Sequence, residues 1–229
     1  MHFRRNAKRQ PEAQAVMLNG QEIEVVSVYK YLGLVIDEDL RWGAHITRIC
    51  KKLASVSGVL NKLKRTLPKS ALLNIYFALA HSHLVYLVGV WGQASKKCVD
   101  QLQTLQKRCL KHACKVPQRH PTVDLFRAQC PGVLNIKSLY KLSVCSFVHN
   151  ALHGQTHSTI LLQVTTHKNP TRNRKPLQCD STRTKLGEGA VTVVGSDMCN
   201  SLPASVTVSN DNTFKRKLKE WLSEQQYPG

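Results

Sequence analysis

Carboxylates are scarce in this sequence: 14 Asp and Glu stand against 33 Lys and Arg in 229 residues, a formal net charge of +19 with a pI near 9.9. Such a surplus repels itself unless a polyanion neutralises it, so nucleic acid is the first partner to consider. A cleavable signal is missing too, because the basic stretch 1–10 is followed by no apolar segment. The eight cysteines are therefore expected as free thiols in a reducing, intracellular compartment, not as a disulfide framework. The longest apolar stretch, 71–92, is interrupted by Asn74, His81, Ser82 and His83. Each is costly inside lipid, so the stretch predicts a buried helix and no membrane contact. No Asp-Asp pair, phosphate-binding glycine loop or internal repeat occurs, and no nucleophile–base constellation can be picked out.

With 42% hydrophobic and 21% charged residues, the chain can build one sizeable core or two small ones. Its cations spread over 4–9, 48–65, 107–119, 168–185 and 215–219, a distribution that suits a long track of phosphates better than one small acidic ligand.

Residues 15–37 read as strands. Val16-Met17-Leu18 and Ile23-Glu24-Val25-Val26 flank Asn19-Gly20, the dipeptide best suited to a two-residue hairpin turn, and a second β segment spans 29–36. From Trp42 the period changes. Trp42, Ile46, Ile49, Leu53, Val56, Leu60, Leu63 and Leu67 recur at steps of four and three, predicting one long helix that Pro68 ends. Arg48, Lys51, Lys52, Lys62, Lys64 and Arg65 lie off that stripe as a basic outer surface. Residues 70–88 are apolar nearly all round, which predicts a helix buried on most sides. Amphipathic helices follow at 97–115 and 136–152, the latter stopped by His153-Gly154. The pattern breaks up over 155–212, where the polar, proline-bounded 169–176 reads as a mobile loop, and a last amphipathic helix covers 213–225. The fold class is thus mainly α with a small N-terminal β-hairpin remnant: a β remnant at 1–40, a helical bundle at 41–154, and a basic, loop-rich, partly disordered region with a terminal helix at 155–229.

Two metal sites are weighed and set aside. Asp37-Glu38-Asp39 is the tight acidic cluster, but acids just before Trp42 are better explained by a helix dipole. Cys109, His112, Cys114 and His120 are zinc-ligand types, yet the two histidines are too far apart for the usual pair and Cys109 sits on an apolar stripe. No metal ligand and no catalytic residue is assigned.

Several phrases together resemble the C-terminal half of the reverse transcriptases of jockey-type and related non-LTR retrotransposons. They begin with Asn19-Gly20, Tyr29-Lys30-Tyr31-Leu32-Gly33-Leu34-Val35-Ile36-Asp37, Leu40-Arg41-Trp42 and His45-Ile46. Leu67-Pro68-Lys69-Ser70, Val90-Trp91-Gly92, Leu105-Gln106-Lys107, Arg183-Thr184-Lys185-Leu186-Gly187, Asn200-Ser201-Leu202-Pro203 and Phe214-Lys215-Arg216-Lys217-Leu218 continue in the family's order. The resemblance implies that Tyr31, Leu32 and Gly33 are the primer-grip-like hairpin after the palm. It also implies that the helices after Trp42 are a thumb, whose Arg48, Lys51, Lys52, Lys62, Lys64 and Arg65 bind a template–primer duplex by its phosphates. The family's polymerases hold Mg2+ on palm carboxylates in an aromatic-x-Asp-Asp hairpin. That hairpin lies upstream of the matching region, so this chain is expected to bind no cofactor, to need the missing upstream half for polymerisation, and to be inactive alone. The alternative is a host-retained nucleic-acid-binding or protein-interaction module with no enzymatic role. Met198-Cys199 departs from the family's large apolar pair with tryptophan, which predicts loose packing over 190–205.

Overall fold

Two residues in left-handed conformation, Asn19 (φ 50°) and Gly20 (φ 79°), turn the first hairpin. In this computed structural model, which describes residues 17–155, 177, 182, 185–207 and 211–227, the turn joins β1 (Met17–Leu18) to β2 (Gln21–Glu22). The second strand was expected at 23–26. A two-residue turn dictates that Leu18 faces Gln21, and with all four paired residues exposed there is no buried face to extend the ladder.

The second β segment folds back on itself at Leu32-Gly33, inside the stretch that the resemblance marks as a hairpin. β3 (Val28–Tyr31) and β4 (Leu34–Asp37) pair antiparallel, Tyr31 opposite Leu34, around Leu32 (φ 46°) and Gly33 (φ 81°). Every residue of β3 is exposed, whereas β4 lays Leu34 and Ile36 on the helical core.

Trp42, itself left-handed and buried, starts α1 (Gly43–Leu63). The helix buries Ile46, Ile49, Leu53, Val56 and Leu60 as the stripe requires. It ends at Lys64, before the proline expected to stop it: the amides of Thr66 and Leu67 both turn back to the Leu63 carbonyl. Pro68 instead opens α2 (Lys69–Tyr76) in extended conformation, where its missing N–H is no loss.

From α2 the chain passes through a π-helical turn, Phe77–His81, into α3 (Ser82–Val85). Leu72, Tyr76, Ala80 and Leu84, spaced by four, are all fully buried. On a regular α-helix such a series rotates by about 40° per step and leaves the core; the wider π turn absorbs the drift. The expectation of burial on most sides is corrected here. Phe77, Leu79 and Val85 remain 44%, 48% and 44% exposed, because α1 and the helix at 96–113 pack against this segment while its burial is confined to the series Leu72, Tyr76, Ala80 and Leu84.

The chain breaks at Tyr86 and left-handed Leu87, then forms α4 (Val88–Trp91) and α5 (Lys96–Ala113). A short α6 (Thr122–Asp124) runs into a second π turn, Leu125–Gln129. α7 (Ile136–Leu152) is capped by the Asn135 side chain, which accepts from the Ser138 amide, and is closed by Gly154 (φ 68°), the stop its sequence signalled.

The C-terminal region is more helical than expected, with α8 (Lys185–Glu188), α9 (Val191–Asn200), α10 (Ala204–Thr207) and α11 (Asp211–Gln225). α9 is rich in residues of modest helix propensity; what fixes it is α7. Gly195 comes so near that a Cβ there would lie 2.6 Å from a Val148 methyl, and Met198 and Cys199, expected to pack loosely, rest partly buried on the core. The loop read at 169–176 lies outside the described residues. The mainly helical class with a small N-terminal β part is borne out.

Candidate nucleic-acid interface

The hairpin tip at Leu32-Gly33 is clamped from two helical segments. The Tyr86 hydroxyl donates to the Leu32 carbonyl at 2.6 Å, and an Arg48 guanidinium N–H donates to the Gly33 carbonyl at 3.2 Å. Gly33 is needed twice over: its φ of 81° is left-handed, and a Cβ would meet the Tyr86 ring at 3.3 Å. Below the tip, the Val35 amide donates to His45 Nδ1 at 3.3 Å, fixing β4 to the first turn of α1. The side chains of Tyr31 and Leu32 stay 57% and 67% exposed, so the tip offers them to solvent on a fixed backbone.

Of the six basic residues singled out, Arg48 and Lys52 stand one turn apart beside this tip. Lys52 Nζ lies 3.4 Å from His83 Nε2, which brings α1, α3 and the hairpin to one surface, with Lys51 exposed next to them. Lys62 lies eleven residues beyond Lys51, about 16 Å along the helix. Lys64 and Arg65 follow the helix end, where Lys64 lies with Arg108 near His112 of α5. Four cations thus lie along α1 and two at its far end; among the described residues none of the six is in an ion pair.

Three histidines register the local positive field. Burial lowers the pKa of His83, and Lys52 and then Arg48 lower it further. Burial followed by Arg48 does the same to His45, and burial followed by Lys64 and Arg108 to His112. Neutral imidazoles among cations that have no acid paired with them among the described residues mark a surface that an anion would relax.

Sequence reasoning missed Tyr86, His83, Arg108 and His112. Tyr86 and His83 sit inside or beside an apolar run read as core, and nothing local shows that a break at Leu87 turns Tyr86 back toward residue 32. The acids at 37–39 serve the turn into α1: Asp37 Oδ1 accepts the Arg41 amide at 2.6 Å, and Asp39 pairs with the Arg41 guanidinium at 3.5 Å. The first turn of α1 itself holds no acid, and the acids that precede it also hold the turn through these side-chain contacts. No group of three His, Cys, Asp or Glu that could hold a metal forms among the described residues, and these carboxylates do not converge as Mg2+ would require. Cys109 donates to the Leu53 carbonyl at 3.5 Å, and burial pushes its thiol up to about 11, in keeping with a core residue.

Comparison with known proteins finds the RNA-directed DNA polymerase from mobile element jockey of Drosophila melanogaster, 30% identical over 125 residues, 53% of this chain and 14% of that protein. The probable RNA-directed DNA polymerase from transposon BS of the same fly is 28% identical over 111 residues, 47% of this chain and 12% of its own length. The jockey polymerase of Drosophila funebris is 26% identical over 117 residues, 50% of this chain and 13% of its own. No family model matches, and no solved structure matches. The matched stretch is thus about an eighth of each relative. Over about half its length this chain is similar to the RNA-directed DNA polymerases of jockey- and BS-type non-LTR elements, as its ordered phrases implied.

Proposed function

We propose that the chain is a piece of a non-LTR retrotransposon reverse transcriptase that holds a template–primer duplex by its backbone and does not polymerise alone. The observation that carries this reading is the joint anchoring of the Tyr31-Leu32-Gly33 tip by Arg48 and Tyr86, which sets a glycine hairpin against the basic face of α1. A duplex laid along α1 meets Arg48, Lys51, Lys52 and Lys62 with its phosphates while the tip approaches the primer end. Such contacts give affinity with little sequence preference, as a sliding grip needs. The polymerase similarity supplies the substrate class; the absence of any Asp-Asp pair supports inactivity, and Mg2+ would be held by carboxylates of an upstream half acting as partner.

The test is titration of the purified chain with fluorescent RNA–DNA hybrid, duplex DNA and single strands at two salt concentrations, beside a primer-extension reaction. Duplex binding that weakens with salt, with no extension, is the expected result. Extension by the chain alone overturns the inactivity. No binding at low salt overturns the grip and leaves a protein-interaction module, for which exposed Phe77, Leu79, Val85 and Val90 are the available apolar face.

A further inference from the structure

We propose that Cys114 and Cys130 form a thiol modification site, at which a hydroperoxide closes a reversible disulfide between the end of α5 and the loop that leads into α7. Their sulfurs lie 2.6 Å apart, about half an ångström from the bonded distance of about 2.05 Å. Both backbones are held in place by their own hydrogen bonds, the Cys114 amide to Leu110 O at 2.8 Å and the Cys130 amide to Leu125 O at 2.9 Å. The closeness therefore does not depend on a loop that wanders.

The surroundings divide the roles. The hydrogen shared between the two sulfurs lowers the pKa of Cys114 and raises that of Cys130, and the ammonium of Lys69, fixed by a 3.0 Å bond to Gln129 Oε1, favours a thiolate at the pair. Cys114 is then the nucleophile and Cys130 the resolving thiol. The Cys114 thiolate attacks one peroxide oxygen, the O–O bond breaks, and the departing hydroxide takes a proton to become water, leaving a sulfenic acid on Cys114. The Cys130 sulfur then attacks the Cys114 sulfur, the S–O bond breaks, and the released hydroxide leaves as water with the Cys130 proton. Two thiols and one hydrogen peroxide give one disulfide and two waters, the two electrons passing from sulfur to the O–O bond. Both thiols are nearly buried, at 5% and 3% exposure, so the oxidant has to be small.

Two further thiol neighbours, Cys145 with Cys199 and Cys50 with Cys98, make the choice of pair testable. The reduced full-length chain is treated with hydrogen peroxide, its remaining thiols are blocked, and it is digested with trypsin without reduction. Cleavage after Lys111, Lys115, Arg127 and Lys137 isolates one cysteine in each of the peptides 112–115 and 128–137. The expected product is those two joined, released by dithiothreitol; in Cys130→Ser, dimedone is expected to label Cys114. A first disulfide between any other cysteines, or oxidation of Cys114 and Cys130 only to separate acids, overturns the proposal.

Discussion

Single residues here do work that their class conceals. Gln106 is a polar residue on the buried face of α5, fully enclosed, and its amide NH2 donates to the Tyr76 hydroxyl at 3.2 Å and the Leu134 carbonyl at 2.9 Å. Replacing it with Leu removes one polar group but strands two, so Gln106→Leu is expected to lower stability by about 1–3 kcal/mol in urea unfolding; a neutral or stabilising outcome would show that both partners find substitutes. His45 works by staying neutral, since its Nδ1 accepts the Val35 amide. The histidines His45, His81, His83 and His112 all have folded pKa values below 6.5. A depressed histidine contributes its stability in full above pH 6.5 and loses it as pH falls through the lowered value, because the unfolded chain takes up the proton first. Melting temperature is therefore expected to drop as pH is taken from about 7.5 to about 5, with a smaller drop in His45→Gln. Hydrogen exchange should open residues 28–37 before the rest; equal melting at both pH values would contradict the neutral clamp.

At the scale of elements, what the sequence made legible and what it did not separate along physical lines. Where the apolar spacing matched a plain helical period, as in α5, α7 and α11, the helices lie within a residue or two of expectation, and α1 starts where expected but ends four residues short of the last residue of its stripe. Where the spacing was four throughout, the sequence carried the π turn at Phe77–His81 in full view, yet a reading limited to apolar or polar composition took it for burial all round. The tip was legible as Leu32-Gly33 through its resemblance; its clamps were not, since Tyr86 is 54 residues away. α9 was illegible because its helicity comes from contact. That origin makes a prediction. Alanine normally improves a helix over glycine by about 1 kcal/mol, but the Gly195 Cβ position lies 2.6 Å from Val148, a stiff, fully buried β-branched side chain. Gly195→Ala is expected to destabilise by about 1–3 kcal/mol, and adding Val148→Ala should recover part of that loss; a stabilising Gly195→Ala would mean that α9 does not dock on α7.

For the whole molecule, the net charge of +19 guarantees some attraction to any polyanion, so affinity alone cannot identify a grip. The discriminating quantity is how affinity falls with salt. If the six cations of the α1 surface each meet a phosphate, the logarithmic slope should approach about −5 on a duplex, and replacing all six with Gln should flatten it nearly to the value set by diffuse charge. Arg48 separates geometry from charge, since it alone of the six bonds the hairpin, at the Gly33 carbonyl. Lys51→Gln should cost about one unit of slope and a proportionate loss of affinity on every sequence. Arg48→Gln should cost the same unit of slope, together with an additional, salt-independent loss on a duplex bearing a recessed primer end, because the tip is freed from α1. If Arg48→Gln and Lys51→Gln behave alike on blunt and recessed duplexes, the hairpin takes no part in binding and the basic face of α1 acts as a phosphate track without a grip.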